Sequence, residues 1–290
     1  MSPPSVTRRS FLATAAFSTG MPAATKGFRP GCQTNAWRIQ PENFQQVLGV
    51  VDKIKRYGYK GFETGFRNVQ GQFENPQRAR SAFDQRRLEF LGCHIFLLEY
   101  DPSTQIAPES LYRRVSQGAA ALGAKRLILS GGTARNHGKL DGDLLRRKAD
   151  ALNHAGELCK KFGLVVAYHN HDKEFAQGGE EMEELLRLTD PASVRLILDA
   201  GHAWRAGISV PEWLDRHANR VDGIHLRDFR NGEQVPLGQG DFDLLAVAQV
   251  LRARNWSGWL INEEERLNDI KPGDAAVAPA RRHLRKVFGV

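Results

Sequence analysis

Histidine and carboxylate side chains concentrate in a few short segments of this 290-residue sequence. Each segment follows an apolar run, as Asp199 and His202 follow the run Leu196–Leu198. A charged group beside a buried strand must be paired or bound to a metal, because burying it alone is costly. The segments contain Glu63, His169, His171, Glu174, Asp199, His202, His225, Arg227 and Glu263. Mixed oxygen and nitrogen ligation by such residues suits one divalent Mn, Mg, Co or Zn ion.

The alternation of side chains along a strand limits which of these groups can meet. Residues of the same parity share a face, so His169 and His171 point the same way. We therefore expect Asp199, His225 and Glu263 to converge with one group from the segment around His169. Acids that cluster without a cation would repel one another and raise their own pKa values. A bound metal removes that repulsion.

Apolar runs and helix-like segments alternate from residue 31 onward. The eight runs lie at 31–36, 61–65, 94–100, 126–131, 164–170, 194–199, 221–227 and 259–263. The helical segments are predicted at 42–57, 76–91, 108–121, 141–161, 180–189, 210–217, 242–253 and 275–288. Near-continuous runs such as Leu127–Leu129 are typical of strands buried on both faces of a parallel sheet. Eight βα units predict a single-domain α/β fold, the (β/α)8 TIM barrel.

The ionisable segments lie at the C-terminal ends of the predicted strands, where TIM barrels place their active sites. An open doubly wound sheet has less support, because no GxGxxG segment follows the first apolar run. The barrel therefore explains both the periodicity and the position of the candidate site residues.

The N-terminal segment has the order of an export signal. The pair Arg8-Arg9 precedes a weakly apolar stretch over residues 13–21, and small residues follow it. This order resembles a twin-arginine signal peptide. We therefore predict a signal over residues 1–24, a barrel domain over 25–290, and export to the periplasm.

Composition excludes several classes of partner. The 41 Lys and Arg residues exceed the 33 Asp and Glu residues, but the charges are scattered, as on a solvated surface rather than a nucleic-acid interface. No stretch approaches the roughly 20 apolar residues of a membrane span. The three cysteines include no CxxC pair and are interpreted as buried small hydrophobic residues.

At the predicted strand ends the sequence resembles the sugar phosphate isomerase/epimerase group of the xylose-isomerase-like TIM barrels. Five motifs carry the resemblance in order: YHNHDKEF at 168–175, LDAGH at 198–202, GIHLRD at 223–228, LGQGDFD at 237–243 and GWLINE at 258–263. The resemblance covers residues 30–288. One motif alone is weakly specific, whereas five in order are specific for the superfamily but not for a substrate.

The resemblance implies one divalent metal held by Glu, Asp, His and Glu ligands. Asp199, His225 and Glu263 match three of these places. Many relatives have glutamate where this chain has His169, so Glu174 is the predicted replacement ligand. His169 is left as an alternative ligand or a neighbour of the metal.

The resemblance also implies roles in binding and catalysis. The predicted catalytic residues are Glu174, Glu263, His171 and His202. The predicted substrate-binding residues are Glu63, His169, Arg227 and Trp37. Trp37 fits core filling equally well, and Glu63 has an alternative role as an ion-pair partner. Asp228 and Glu264 are interpreted as solvated residues at the rim.

The function that these roles imply is proton abstraction next to the carbonyl of a sugar or keto-sugar, with a metal-stabilised enediolate. Reprotonation makes the enzyme an isomerase or epimerase. Loss of a β-leaving group makes it a lyase, either a keto-sugar dehydratase or an enzyme that cleaves a 3-keto-glycoside by elimination. Export favours a neutral sugar, glycoside or keto-sugar over a sugar phosphate.

Two other classes stay open to test. A non-catalytic periplasmic sugar-binding module would bind a ligand without consuming it. An endonuclease for abasic DNA uses the same barrel, but it needs a richer multi-zinc ligand set than this chain provides. A homodimer is common among such barrels, although the sequence shows no interface.

Overall fold

The computed structural model describes residues 27–265 and 272–290, which form a closed barrel of eight parallel strands. The barrel strands are β1 Phe28–Gln33, β2 Gly61–Gly65, β3 Glu89–Ile95, β4 Arg126–Ser130, β5 Val165–His169, β6 Val194–Asp199, β7 Val221–Leu226 and β8 Gly258–Asn262. Pairing of β1 with β8, from Phe28↔Gly258 to Cys32↔Asn262, closes the barrel. The predicted (β/α)8 TIM barrel is confirmed.

Helices follow the strands along the described part of the chain. They are α1 Phe44–Arg56, α2 Pro76–Arg86, α3 Glu109–Leu122, α4 Gly142–Lys160, α5 Asp172–Phe175, α6 Glu180–Leu188, α7 Ala200–Arg205, α8 Val210–His217, α9 Leu244–Ala253 and α10 Asp274–Phe288. Among the described helices, none combines the length and the apolar character that crossing a membrane requires. The short helices α5 and α7 directly follow β5 and β6, and the sequence periodicity did not predict them.

The alternation of strand side chains divides the core into two regions. Leu127 and Leu129 of β4 pack in the main core, whereas Ile128 contacts Ala167 and Ile197 in a small separate cluster. His169 and Asp199 lie two residues beyond Ala167 and Ile197, on the same faces of their strands. The chain therefore turns these polar side chains toward the barrel axis just where the apolar filling ends.

The third strand begins earlier than the sequence pattern predicted. Helix α2 ends at Arg86 because Arg87 adopts a left-handed conformation (φ 54°), and β3 begins at Glu89 rather than at residue 94. Gly92, the first residue after the predicted helix at 76–91, lies inside β3, where an added Cβ would collide with Ile128. The first strand also begins earlier, at Phe28 instead of residue 31.

Two short β-hairpins lie in the loops that follow β4 and β7. Arg135–Asn136 pairs with Lys139–Leu140 after β4, and Asp228–Arg230 pairs with Glu233–Val235 after β7. The three cysteines are buried and free, as interpreted from the sequence. The predicted signal over residues 1–24 lies outside the described residues.

Candidate functional site

Four buried side chains bring metal-ligating atoms together at the C-terminal end of the barrel. His169 ends β5, Asp199 ends β6, His225 lies in β7 and Glu263 directly follows β8. Each offers one ligand atom, and the four atoms lie within 4.8 Å of one another. All four side chains are at most 3% exposed. The predicted convergence of Asp199, His225 and Glu263 with one group from β5 is present.

The chemistry of this cluster fits a divalent cation. His169 Nδ1 is buried and has no hydrogen-bond partner among the described residues. Asp199 Oδ2 is also buried, and its close neighbour is the Arg227 guanidinium. Burial raises the pKa of Asp199 although Arg227 opposes the shift, so a cation would relieve the cost of its charge. Burial lowers the pKa of His169, which favours the neutral imidazole that a metal requires. The residues present can therefore hold the divalent metal predicted from the sequence.

Below the four ligands, His225 is held between two carboxylates. Its Nδ1 contacts Glu263 Oε2, and its Nε2 lies 2.8 Å from Glu63 Oε2. The same Glu63 oxygen lies 2.8 Å from His94 Nε2. Burial acts to lower the pKa of His225, but Glu263 and Glu63 together raise it to about 10. Glu63 therefore orients the His225 ring, as carboxylates commonly do for histidines in metal sites.

Glu63 was predicted to contact the substrate, but its side chain contacts His225 and His94 instead. The Glu63 side chain is 0% exposed, and its pKa falls to about 2 because His225 and His94 outweigh the effect of burial. Glu63, His94 and His225 form a second group whose ligand atoms lie close enough to hold an ion. Sequence reasoning missed His94, because the third strand was expected to begin there rather than to carry it inside the barrel.

Glu174, the predicted strand-five ligand, does not join the cluster. Its Oε1 accepts a hydrogen bond from the Tyr168 hydroxyl at 2.6 Å, and its Oε2 accepts one from the His171 N–H at 3.1 Å. Tyr168 precedes His169 by one residue and therefore points away from the barrel axis. Helix α5 turns Glu174 back to this outer side, and His169, the alternative that the sequence left open, is the β5 residue that joins the cluster.

Arg227 lies among the carboxylates of the cluster. Its Nε is 2.7 Å from Asp199 Oδ2, and its Nη2 is 2.8 Å from Glu263 Oε2. Its Nη1 is 3.1 Å from Glu265 Oε2 at the rim. The guanidinium balances part of the negative charge of the cluster. It also lines a neighbouring cavity, where it is placed to contact a substrate.

A cavity of about 550 Å³ adjoins the cluster. His202 and Arg227 line it beside the cluster, and the hairpin after β7 lines it on another side. Arg205, Glu233 and Gln234 add polar groups to the lining. Its volume is typical of small-molecule sites. A larger cavity of about 690 Å³, next to Phe28 and Trp256, lies at the opposite end of the barrel, away from the ionisable residues.

The two histidines predicted to be catalytic, His171 and His202, lie beside the four-residue cluster. The ring centroid of His171 is 5.2 Å from that of His169 and 5.1 Å from that of His202. Burial lowers the pKa of His202, and Arg227 and His171 act in the same direction. A neutral His202 can accept a hydrogen bond from a hydroxyl group.

Trp37 fits its alternative interpretation as a core residue. It is 9% exposed, and its Nε1 donates a hydrogen bond to Asp274 Oδ1 at 3.2 Å, at the start of α10. A Cβ built on Gly273 would lie 3.4 Å from its indole ring. Trp37 therefore packs against the start of the last helix.

Asp228 and Glu264 are buried, which corrects their interpretation as solvated residues. Asp228 accepts hydrogen bonds from the N–H groups of Gly238 and Gly240, at 3.0 and 2.9 Å, and from two further backbone N–H groups. Glu264 accepts one from Leu237 N at 3.1 Å, and burial raises its pKa to about 7. These two acids organise the LGQGDFD loop instead of meeting solvent.

Comparisons with known proteins agree with this fold. The family described as xylose isomerase-like TIM barrel matches residues 51–287. An inosose dehydratase of Lactiplantibacillus plantarum is 27% identical over an alignment of 302 positions. The alignment covers 90% of this chain and 98% of the relative.

Solved structures share the fold at low identity. The 3-keto-D-glucoside 4-epimerase from E. coli is 18% identical with a TM-score of 0.69, covering 91% of this chain and 100% of that chain. The D-allulose 3-epimerase from Methylomonas sp., in complex with D-allulose, is 13% identical with a TM-score of 0.76, covering 91% and 98%. The relatives are named enzymes, in agreement with the prediction of an enzyme. The chain belongs to the xylose-isomerase-like TIM barrel family.

Proposed function

We propose that this chain is a divalent-metal-dependent enzyme that abstracts a proton next to the carbonyl of a sugar or keto-sugar. The observation that carries the proposal is the convergence of His169, Asp199, His225 and Glu263 beside a polar cavity. When bound, a divalent ion supplies Lewis-acid polarisation of a substrate oxygen.

The chain supplies the ligands and their support. His169, Asp199, His225 and Glu263 would hold the ion through two nitrogens and two carboxylate groups. Glu63 accepts the Nε2–H of His225, which leaves Nδ1 facing Glu263 and the cluster. This arrangement fixes the tautomer and the ring orientation of His225.

The base that fits the structure best is His171. Glu263 is already engaged, since Asn35 donates to its Oε1 and Arg227 lies 2.8 Å from its Oε2. Glu174 faces away from the cluster. The His171 side chain is only partly buried, and its ring lies between those of His169 and His202, so its imidazole can take the substrate proton. His202 then accepts a hydrogen bond from a neighbouring hydroxyl.

A lyase is the second candidate for the step that follows. An isomerase or epimerase returns the proton to carbon, whereas a dehydratase expels a β-hydroxyl group as water. The similarity to an inosose dehydratase, which spans 90% of the chain, favours the dehydratase outcome. Elimination from a 3-keto-glycoside is the same step with an alkoxide as the leaving group.

Deuterium exchange tests this function. The purified protein, loaded with Mg²⁺ or Zn²⁺, is incubated in D₂O with a keto-inositol, a 3-keto-glucoside or a ketohexose and followed by NMR. Deuterium at the α-carbon supports proton abstraction, a new stereocentre indicates epimerisation, and a new alkene or a released aglycone indicates elimination. His171→Ala is expected to lose the exchange and keep the metal. A metal-loaded protein that binds a probe without exchange is a sugar-binding module, and the proposal then fails.

We also propose export through the twin-arginine pathway, supported by the order of Arg8-Arg9, the apolar stretch and the small residues. Cell fractionation tests it with the wild-type chain and an Arg8→Lys/Arg9→Lys double variant. The wild type is expected in the periplasm and the variant in the cytoplasm. A wild-type chain that stays in the cytoplasm contradicts export. A homodimer stays a prediction, which light scattering of the purified protein can check.

A further inference from the structure

A buried cluster of charged side chains lies outside the candidate metal site. Lys148 of α4 and Glu181 of α6 are 0% exposed, and Glu174 of α5 is 1% exposed. Lys148 Nζ is 2.9 Å from Glu181 Oε1, 3.9 Å from Glu174 Oε1 and 4.7 Å from the centroid of the Tyr168 ring. Apolar side chains of similar volume often replace such ion pairs without loss of stability. Stability alone therefore does not account for this cluster.

The hydrogen bonds of the cluster end on the loops that follow β4 and β5. Lys148 donates to the carbonyl of Gly132 at 2.8 Å, and Glu181 accepts from the N–H of Ala134 at 2.8 Å. Glu174 accepts from the N–H of His171 at 3.1 Å. Both loops lie at the C-terminal end of the barrel, so the cluster ties the catalytic face to helices α4 and α6.

His171 is the site residue that this arrangement controls most directly. Its ring stands between those of His169 and His202. Its backbone N–H donates a hydrogen bond to Glu174. The position of the imidazole therefore depends on the backbone that Glu174 holds.

We propose that Glu174 is a positioning residue that holds His171 beside the metal cluster, and that Tyr168 and Lys148 hold Glu174 in turn. This inference rests on the proposed function, in which His171 takes the substrate proton. Glu174 acts through His171 and is not a metal ligand. Without the Glu174 carboxylate the four ligands keep their places, but the turn at His171 loses its anchor.

Glu174→Leu removes the carboxylate that binds the His171 N–H. Tyr168→Phe removes only the hydroxyl that binds this carboxylate. Glu184→Leu is the matched control, because Glu184 is a partly exposed residue of α6 that pairs with Arg187. Hydrogen exchange at the His171 amide is expected to accelerate at least about fivefold in Glu174→Leu, the equivalent of one hydrogen bond. Tyr168→Phe is expected to give a smaller increase, and the control none. The Tyr168→Phe variant also decides the question if Glu174→Leu does not fold.

Two further readouts separate positioning from ligation. Calorimetric titration measures the affinity for Mn²⁺, which is expected to change less than about threefold in Glu174→Leu. Losing even a residue that supports a metal ligand lowers metal affinity about 10–100-fold. On a keto-sugar that the wild type turns over, kcat is expected to fall about tenfold with KM nearly constant, since an interaction of the transition state is lost.

An unchanged exchange rate at His171, or the loss of Mn²⁺ binding in Glu174→Leu alone, overturns the inference. If the wild type turns over none of the probes, the proposed function has failed. The exchange and Mn²⁺ measurements still decide whether Glu174 anchors His171, so the two failures are distinguishable.

Discussion

Asn170 binds both backbone hydrogen-bonding groups of Asp199 in the neighbouring strand. Its Nδ2 donates to the Asp199 carbonyl at 3.1 Å, and its Oδ1 accepts from the Asp199 N–H at 2.8 Å. The side-chain amide thereby continues the contacts between β5 and β6 beyond the pair His169↔Ile197. Asp199 is thereby held where its carboxylate meets His169, His225 and Glu263.

Asn170→Ala is expected to weaken both folding and metal binding. The two backbone groups lose their partners while buried, which costs about 1–3 kcal/mol for each unsatisfied group. Thermal unfolding measures the loss of stability, and Mn²⁺ titration measures the loss of affinity. A variant that unfolds earlier but binds Mn²⁺ as tightly as the wild type would show that Asn170 does not position Asp199.

Glu63→Gln is expected to lower metal affinity about 10–100-fold, because Glu63 orients the ligand His225 from behind. Glutamine keeps the size of the side chain and removes the charge. Metal content after dialysis against a buffered chelator measures the effect. Wild-type affinity in this variant would return Glu63 to its predicted role as a substrate contact.

The metal-free protein is expected to lose stability as the pH rises from about 6.5 to about 10. The pKa of His225 rises from 6.5 to about 10 in the folded chain through Glu263 and Glu63, against the opposing effect of burial. A raised folded-state pKa stabilises fully below the unfolded value and loses its effect as the pH climbs through the folded value. Thermal unfolding across this range, compared with Glu63→Gln, isolates the contribution of His225. An identical pH dependence in both proteins contradicts the assignment.

Gly240→Ala is expected to destabilise the loop that Asp228 organises. An added Cβ would collide with the Asp228 carboxylate, and forcing extra atoms into a packed site costs about 1–3 kcal/mol. Gly49→Ala is the control, since nothing lies near a Cβ at that helix position and alanine there stabilises by about 0.5–1 kcal/mol. Equal unfolding temperatures for the two variants would contradict this description of the loop.

The sequence alone predicted the barrel and predicted which side chains of its strands point inward. Asp199 and Glu263 follow from alternation, because each continues the face of an isoleucine two positions earlier. His225 lies two positions after a glycine, so its assignment also rests on the GIHLRD motif. Glu174 does not follow from alternation, because it lies in α5, where strand parity no longer applies. Its direction depends on Tyr168 and on Lys148, which is distant in sequence and contacts it only in the folded chain.

Contacts between residues distant in sequence, or a single unusual backbone conformation, also explain the other features that the sequence did not predict. The start of β3 depends on one left-handed residue, Arg87, whose type gives no such signal. The burial of Asp228 and Glu264 depends on a loop that folds back over them, with partners 10 to 27 residues away. Local periodicity records neither event, although the glycines at 238 and 240 indicate that the backbone approaches another group closely.

Anomalous diffraction from a crystal soaked in Mn²⁺ can show whether the four side chains of the cluster bind one ion. One strong peak is expected at bonding distance from His169, Asp199, His225 and Glu263, with Glu174 still bound to the Tyr168 hydroxyl. A peak that Glu174 ligates in place of His169, or no peak at these four residues in a protein that binds Mn²⁺ in solution, would contradict it.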